Sequence, residues 1–236
     1  MPVIALITFD LDNTLWNVEQ VILRAEAHMR EWLDEHVPDY GRLLDRTAII
    51  TLRGEVLTEH PHLAHDVSAL RREVLYRGML RCGLSDRDAR DFAATAFGRF
   101  FEARQQVVLF DGALDVLDRL ASRYRLGALT NGNADVASIG LDRYFSFALN
   151  AADVGASKPA PDMFRAALRR ARAAPGEGIH IGDNLVDDIE GANAVGMHSI
   201  WVNHNGTVIE AHHSRPTREA RALHELDAAV ESIRAG

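Results

Sequence analysis

The sequence predicts an α/β fold in which a parallel β-sheet is flanked by helices and interrupted by a helical insertion after its first strand. Two observations predict the sheet: short apolar runs recur along the chain, and helical patterns lie between them. A third observation predicts the insertion, because the interval from about 17 to 108 shows helical periodicity with little strand signal. We therefore expect a Rossmann-like core made of residues 1–16 and 109–236, and a helical cap domain made of residues 17–108.

The first apolar run, VIALITF at residues 3–9, is typical of a strand buried on both faces. Similar runs follow at four places: YRLGALT (124–130), FSFALN (145–150), GIHIGD (178–183) and HSIWVN (198–203). Helical patterns occupy three intervals between and beside them: 112–123, 162–174 and 187–196. We interpret the last segment, residues 215–236, as a terminal helix packed on the core.

Three segments of the insertion have helical character. Residues 19–37 and 66–83 place apolar side chains at three- and four-residue spacing, and residues 85–105 begin with Ser85, a typical N-cap. The single cysteine, Cys82, is interpreted as a small apolar side chain, since one thiol makes neither a disulfide nor a cysteine zinc site. The lack of cysteine pairs fits a reducing compartment, which predicts a cytoplasmic location.

The overall composition excludes some classes of partner. A net charge of −8 disfavours a nucleic-acid-binding protein, which usually presents a basic patch. No apolar run approaches the ~18 residues that a membrane helix needs. We expect no nucleic acid and no membrane among the partners, and the sequence leaves the choice between a monomer and a homodimer open.

Two carboxylates follow the first strand. Asp10 and Asp12 are two residues apart, so both point to the same side of an extended chain. Two acids aimed into one crevice repel each other and need a cation or protons to coexist. Mg²⁺ meets that need, because it typically binds one or two carboxylates together with water or phosphate. The alternative is a surface turn with two solvated acids, which would be preferred if the pair stood alone.

Small polar residues follow the second strand. Thr130 ends the apolar run, and Asn131 and Gly132 come next. A hydroxyl group and successive backbone N–H groups can hold phosphate oxygens. By themselves these residues would equally suit an ordinary loop.

The only lysine of the chain, Lys158, stands in the segment GASKPAPDMF. The chain has 26 lysines and arginines in total, so all the others are arginine. One explanation is chance in an arginine-rich sequence. The other is a position that needs a compact ammonium group, which a planar guanidinium cannot replace.

A second group of acids follows the strand that ends at residue 183. Asp183 stands at the strand end, and Asp187 and Asp188 open the following helix. Acids in a first helical turn are often only favourable partners of the helix dipole, which could explain one of this pair.

Taken in order, these four segments resemble the motifs of the haloacid dehalogenase-like superfamily of aspartate-nucleophile hydrolases. That superfamily carries DxDxT, a Ser or Thr after the second strand, a lysine, and a GDxxxxD-type acidic segment. Here the corresponding stretches are FDLDNTLW, LTNGN, GASKPAPDMF and IGDNLVDDIEGA, and the helical insertion lies where the superfamily has its cap. The resemblance therefore covers the whole chain.

The resemblance implies a role for each motif residue. Asp10 corresponds to the nucleophile and Asp12 to the general acid and base. Mg²⁺ would be held by Asp10, by the backbone carbonyl of Asp12 and by Asp183. Thr130, Asn131, Gly132 and Lys158 would contact the phosphoryl group. Asp188 corresponds to the last acid of the motif, either a water-mediated metal partner or a residue that orients Lys158.

Phosphate ester hydrolysis is the reaction that this combination favours. A halide leaving group needs no proton, so the presence of Asp12 favours an alkoxide leaving group over a halide. A cap without lysine disfavours the relatives that need a basic cap residue. We expect a Mg²⁺-dependent phosphatase acting on a small-molecule phosphate ester. The alternatives are a haloacid dehalogenase-type hydrolase and a non-catalytic protein that binds phosphorylated metabolites.

Two finer expectations concern the substrate. The wording around the motifs is similar to one bacterial branch of phosphatases that act on FMN and on 5-amino-6-(5-phosphoribitylamino)uracil. Trp16, just after the nucleophile loop, could cover a flat substrate ring or could be a core tryptophan, and the sequence leaves both open.

Overall fold

The computed structural model describes residues 3–235 and contains a six-stranded sheet in which every neighbouring pair is parallel. The strands are β1 (Leu6–Phe9), β2 (Arg125–Thr130), β3 (Phe145–Asn150), β4 (Gly178–Gly182), β5 (His198–Val202) and β6 (Arg218–Ala220). Their order is β3-β2-β1-β4-β5-β6, the doubly wound order of Rossmann-like folds. The predicted α/β class is confirmed. Because the direction of winding reverses beside β1, ligands of such sheets bind outside the carboxyl ends of β1 and β4.

The helices account for most of the remaining regular structure. They are α1 (Val18–His36), α2 (Tyr40–Leu43), α3 (Arg46–Glu59), α4 (Val67–Arg81), α5 (Asp86–Arg104), α6 (Ala113–Ala121), α7 (Val136–Ile139), α8 (Ala151–Val154), α9 (Pro161–Ala171), α10 (Gly191–Ala194) and α11 (Leu226–Ala235). Short 3₁₀ segments cover Pro61–His65, Pro175–Glu177 and Leu223–Glu225, and a π-helical segment covers Leu185–Glu190. Within residues 3–235, every helix is too short or too polar to cross a bilayer.

The chain divides into two compact units. One contains the segment up to Asn17 together with the segment from Val108 onward, and the other is Val18–Val107. The labels of catalytic core and cap for these units remain predictions.

The first unit contains the sheet, and α9 packs on β1, β2 and β3 through its apolar face. Phe164 and Leu168 of that helix join a buried cluster that also contains Leu6 and Leu129. Elsewhere in the unit α6 and α11 pack together, and Asp227 of α11 pairs with two arginines of α6 and the turn after it. All four residues of β1 are buried, as expected for a central strand.

The second unit is a helical bundle with its own apolar core, in which α5 packs against α1 and α4. Each of α3, α4 and α5 begins with a side chain that accepts a hydrogen bond from a backbone N–H of its first turn. The capping residues are Asp45, Asp66 and Ser85, so the predicted N-cap at Ser85 is confirmed. Cys82 is partly buried against the bundle core, which agrees with its interpretation as an apolar side chain.

Two segments differ from the sequence-based expectation. The tail is not one helix from residue 215: it first forms the edge strand β6, and α11 begins at Leu226. β6 has three residues and only Ala220 is buried, so it carries no alternating apolar pattern to recognise. The predicted helix at 187–196 is a π-helical segment followed by the short α10, a widened turn that often marks functional sites.

Phe164 should be a large contributor to the stability of the first unit. Its ring is fully buried, and it meets the His180 ring edge-on at 5.0 Å. We expect Phe164→Ala to lower the free energy of unfolding by about 3–5 kcal/mol, because a large buried cavity remains. Urea denaturation measures this loss, and the midpoint should fall while the m-value stays unchanged.

Leu114→Ala is the matched control, because Leu114 is 43% exposed on α6. Surface substitutions of this kind usually change stability by less than about 0.5 kcal/mol. Equal denaturation midpoints for the two variants would contradict the role given to Phe164.

Candidate active site

The candidate site lies at the carboxyl edge of the sheet, where three loops meet. Phe9, the last residue of β1, pairs with Ala128 of β2 and Ile181 of β4, so the three neighbouring strands end within two residues of one another at this edge. A hollow of about 140 Å³ opens there. It is lined by the eight residues to which the resemblance gives a role, Asp10, Asp12, Thr130, Asn131, Gly132, Lys158, Asp183 and Asp188, and also by Asp187.

Lys158 lies at the centre of this group, with only 3% of its surface exposed. Its Nζ donates to Asp10 Oδ1 at 2.7 Å, to Asp188 Oδ1 at 2.6 Å and to the Leu129 carbonyl at 2.8 Å. An ammonium has three donors, so all of them are satisfied. Burial disfavours the charged form, but the carboxylates of Asp10 and Asp188 outweigh it and raise the pKa of Lys158.

Asp188 is the most enclosed acid of the site, with 1% of its surface exposed. Besides the ammonium of Lys158, it accepts hydrogen bonds from the backbone N–H of Asn184 at 3.0 Å and from His180 Nε2 at 3.0 Å. Burial opposes its ionisation, but the charge of Lys158 and the bond from His180 hold the pKa of Asp188 below its usual range. Its bond to Lys158 fits one of the two roles that the resemblance implied, that of a residue that orients Lys158, and this role stays a prediction.

His180 connects Asp188 to the interior of the sheet. Burial lowers the pKa of His180, so its ring is neutral and carries one N–H. Because a carboxylate only accepts, that proton belongs on Nε2, facing Asp188. Nδ1 then accepts from the hydroxyl of Thr8, which lies 2.8 Å away. The buried chain from Thr8 to Lys158 thus has a defined direction of donation at each step.

For Asp10 and Asp183 the effect of burial is not fully offset by positive charge and hydrogen bonds, as it is for Asp188. Burial raises the pKa of Asp10 well above its usual value, against the opposing charge of Lys158. Burial, and then the charge of Asp188, raises the pKa of Asp183 to about 7. The hydroxyl of Thr14 lies 3.3 Å from Asp10 Oδ2 and 3.2 Å from Asp183 Oδ1, and its one proton can serve only one of them at a time.

These carboxylates fit a divalent cation. One oxygen from each of Asp10, Asp183 and Asp188 lies within 4.8 Å of the others. Hard oxygen ligands of this kind suit Mg²⁺. Both oxygens of Asp188 have strong donors, from Lys158, His180 and the Asn184 N–H, whereas Asp10 Oδ2 and Asp183 Oδ1 share one hydroxyl, that of Thr14. Asp10 and Asp183 are therefore the side chains in this group best placed to hold the ion. The backbone carbonyl of Asp12, which the resemblance implies as a further ligand, stays a prediction.

The loop after β2 holds the loop of Lys158 in place. The Asn131 side chain accepts from the Lys158 backbone N–H at 2.7 Å and donates to the Lys158 carbonyl at 3.0 Å. The same amide donates to Asp187 at 3.2 Å. The Gly132 N–H donates to the Thr130 hydroxyl at 2.9 Å, so it would have to turn from that partner to bind phosphate as the sequence predicted.

Asp12 and Trp16 form a separate contact at the rim of the hollow. The Trp16 indole is fully buried, and its Nε1 donates to Asp12 Oδ1 at 2.8 Å. Of the two interpretations of Trp16 that the sequence left open, the structure supports a core residue, because no face of the ring is exposed to a ligand.

The sequence missed the residues that orient the motif side chains. They are Thr8 and His180, together with Trp201, whose Nε1 donates to the Asp183 carbonyl at 2.7 Å; Thr14 was matched as the threonine of DxDxT but was given no role. A signal existed for His180, since a histidine inside an otherwise apolar buried strand needs polar partners. Trp201 offered no such signal, because a tryptophan in a buried strand reads as an apolar core residue.

The arrangement can bind and activate an anionic electrophile. Among residues 3–235, the lining of the hollow includes five aspartates and one lysine. Asp10 offers a nucleophilic carboxylate oxygen beside a cation, and Asp12 offers a group that can give or take a proton. An anion can enter such a negative hollow only when a cation offsets the carboxylates.

Known proteins with similar sequences are hydrolases. A sequence model described as haloacid dehalogenase-like hydrolase matches residues 4–196. The 5-amino-6-(5-phospho-D-ribitylamino)uracil phosphatase YigB of Escherichia coli (strain K12) is 35% identical over 213 residues, which cover 90% of this chain and 89% of the relative. The phosphoserine phosphatase of Thermus thermophilus is 32% identical over 60% of this chain and 57% of its own.

Among solved structures, the 2-haloacid dehalogenase from Pseudomonas syringae pv. Tomato DC3000 superposes with a TM-score of 0.94. It is 40% identical, and the match covers 97% of this chain and 99% of that one.

Gly182 allows the close approach of Asp188 to the end of β4. A Cβ atom at position 182 would lie 2.3 Å from Asp188 Cγ and 2.3 Å from its Oδ2. Gly182→Ala should therefore displace a carboxylate that is held by three partners. We expect a loss of about 1–3 kcal/mol in the free energy of unfolding, as for other overpacked sites. Urea denaturation measures it.

Gly98→Ala provides the comparison, since a Cβ there meets nothing within 4 Å. In an exposed helix interior this change should stabilise by up to about 1 kcal/mol. If Gly182→Ala proved as stable as Gly98→Ala, the tight contact with Asp188 would be disproved.

Proposed function

This chain belongs to the haloacid dehalogenase-like hydrolase family, and we propose that within it the protein is a Mg²⁺-dependent phosphatase acting on a small-molecule phosphate monoester. Membership of the family confirms the resemblance drawn from the motifs. The phosphatase names of two relatives support the reaction type. The observation that supports it most directly is the buried Lys158 ammonium, bonded at once to Asp10 and Asp188.

In the proposed reaction Asp10 is the nucleophile. One of its carboxylate oxygens attacks phosphorus, the bond from phosphorus to the ester oxygen breaks, and an aspartyl phosphate forms. Lys158 lies 2.7 Å from Asp10 and stabilises the negative charge that the phosphoryl oxygens bring to the site. The hydroxyl of Thr130, at the end of β2, would bind one of those oxygens.

Asp12 serves as the proton donor and acceptor. Its proton goes to the leaving alkoxide as the ester bond breaks. In the second half-reaction a water attacks the phosphorus of the aspartyl phosphate, Asp12 takes the proton of that water, and the bond to Asp10 breaks. Inorganic phosphate leaves and both carboxylates return to their starting state. General acid–base catalysis of this kind contributes roughly 10²- to 10⁴-fold.

Asp10, Asp183 and the backbone carbonyl of Asp12 would hold Mg²⁺. When bound, the ion supplies charge neutralisation and polarises a phosphoryl oxygen. The raised pKa values of Asp10 and Asp183, caused first by burial, support this assignment, since a bound cation would offset the cost of burying the two carboxylates.

FMN and 5-amino-6-(5-phosphoribitylamino)uracil are the substrates that we propose to test first. The second compound is the substrate in the name of the relative that is 35% identical over 90% of this chain. The cytoplasmic location and the choice between monomer and homodimer stay predictions.

A haloacid dehalogenase is the second candidate, because a 40% identical structure bears that name. The chemistry of the site argues for the phosphatase, since a halide leaves without a proton and has no use for Asp12.

Replacing Asp10 by Asn should abolish turnover of p-nitrophenyl phosphate. We expect a fall in kcat of at least about 10³-fold, as for loss of other covalent nucleophiles. Asp162→Asn, an exposed acid on α9, is the control and should keep wild-type activity. Release of p-nitrophenolate measures both.

Other outcomes separate the alternatives. Undiminished activity of Asp10→Asn would refute the mechanism. Chloride release from 2-chloropropionate without phosphate ester turnover would favour the dehalogenase. Binding of FMN without turnover of any phosphate ester would favour a non-catalytic protein.

Mg²⁺ should bind the protein in the absence of substrate and stabilise it. A ligand at 100 times its Kd raises the free energy of unfolding by about 2.7 kcal/mol, which thermal denaturation detects. Asp183 has a pKa of about 7, so below pH 7 the ion must displace a proton from it. We therefore expect the apparent affinity to fall as the pH is lowered from 8 to 6.

Asp183→Asn should lose most of the Mg²⁺-dependent shift in Tm, whereas Asp162→Asn should retain it. An equal shift in both variants would rule out Asp183 as a ligand.

A further inference from the structure

We propose that Trp16 is a positioning residue for Asp12 and fixes which carboxylate oxygen carries the transferred proton. This inference rests on the proposed function, in which Asp12 is the general acid and base. It starts from the hydrogen bond of 2.8 Å between Trp16 Nε1 and Asp12 Oδ1.

The burial of Trp16 makes this bond more than a surface contact. The side chain is 0% exposed, and a buried indole N–H normally needs an acceptor. Here the acceptor is a carboxylate, and hydrogen bonds to charged groups are the stronger class. A buried donor can therefore hold Asp12 Oδ1 in one place.

The backbone of the loop fixes both residues relative to each other. Asn13 adopts a left-handed conformation, with φ 62°, and its N–H donates to the Trp16 carbonyl at 2.7 Å. Trp16 also forms a bridge with Leu109, and the Phe110 N–H donates to the Leu15 carbonyl at 2.8 Å. The turn thus brings the indole of Trp16 next to the carboxylate of Asp12, four residues earlier in the chain.

The direction of donation selects the oxygen that carries the transferred proton. An indole N–H donates and cannot accept, so Oδ1 is the acceptor, and the carbonyl oxygen of a protonated carboxyl group accepts more strongly than its hydroxyl oxygen. The geometry assigns the transferred proton to Oδ2. That oxygen gives its proton to the leaving alkoxide and later takes one from the attacking water, so the carboxyl group is unchanged after a full cycle.

A leaving-group series separates this role from simple packing. An alkyl phosphate needs a proton on its leaving oxygen, while p-nitrophenolate leaves without one. The quantity kcat/KM covers the steps up to formation of the aspartyl phosphate, so slow hydrolysis of that intermediate cannot mask the effect. Loss of the indole donor should therefore affect the alkyl ester more than the nitrophenyl ester.

The experiment measures kcat/KM for an alkyl phosphate and for p-nitrophenyl phosphate with Trp16→Phe. We expect the ratio of the two values to fall by about ten-fold, a fraction of the 10²- to 10⁴-fold that a general acid provides. In an Asp12→Asn background the same substitution should leave the ratio unchanged.

Trp201→Phe is the matched control. It removes an indole N–H that bonds to the Asp183 carbonyl at 2.7 Å, not to Asp12. Any loss of activity should be the same for both esters. If Trp16→Phe lowered kcat/KM for both esters by the same factor, as Trp201→Phe is expected to do, Trp16 would be a packing residue and the inference would be wrong.

Two further measurements keep the result decisive. If Trp16→Phe does not fold, the sulfur isostere β-(3-benzothienyl)alanine at position 16 removes the N–H and keeps the bicyclic ring. If the wild-type protein turns over no phosphate ester, the proposed function fails and this inference fails with it, whereas equal losses overturn the inference alone.

Discussion

The buried ammonium of Lys158 is the interaction on which the site depends. It ties the end of β1 through Asp10, the end of β2 through the Leu129 carbonyl, and the turn after β4 through Asp188. Removing one partner of a buried ion pair typically costs about 3–5 kcal/mol, because the other charge is left uncompensated. A planar arginine would bring five donors to a place that offers three acceptors around a point. This explains why the one lysine of an arginine-rich chain stands here.

Charge balance then decides what the site can bind. One lysine cannot neutralise the aspartates that line the hollow, and burial, with the neighbouring aspartates adding to it, raises the pKa values of Asp10 and Asp183. A cation relieves that imbalance and also admits an anionic substrate. The same electrostatic requirement would connect the proposed metal binding, the proposed phosphate binding and the proposed nucleophile.

Different hydrogen-bond partners distinguish the acids of the site. His180 and Lys158 together hold Asp188 as a permanent anion, while Thr14 stands between Asp10 and Asp183. Asp12 accepts a hydrogen bond from the Trp16 indole. Identical side chains thus acquire different chemistry from their partners, within a hollow only about 140 Å³ in volume.

The sequence by itself determined the α/β class, the strand ends and the residues gathered there. It could do so because parallel strands end at one edge of a sheet, so polar residues after several apolar runs must converge. Only the tertiary structure decided which side chains bond to one another and which strands pair. Thr8 meets His180 across 172 residues, and β6 exists through its pairing with β5, so neither has a local pattern. Even the close pair Asp12 and Trp16 depends on a left-handed turn at Asn13, because side-chain direction follows backbone conformation and not spacing alone.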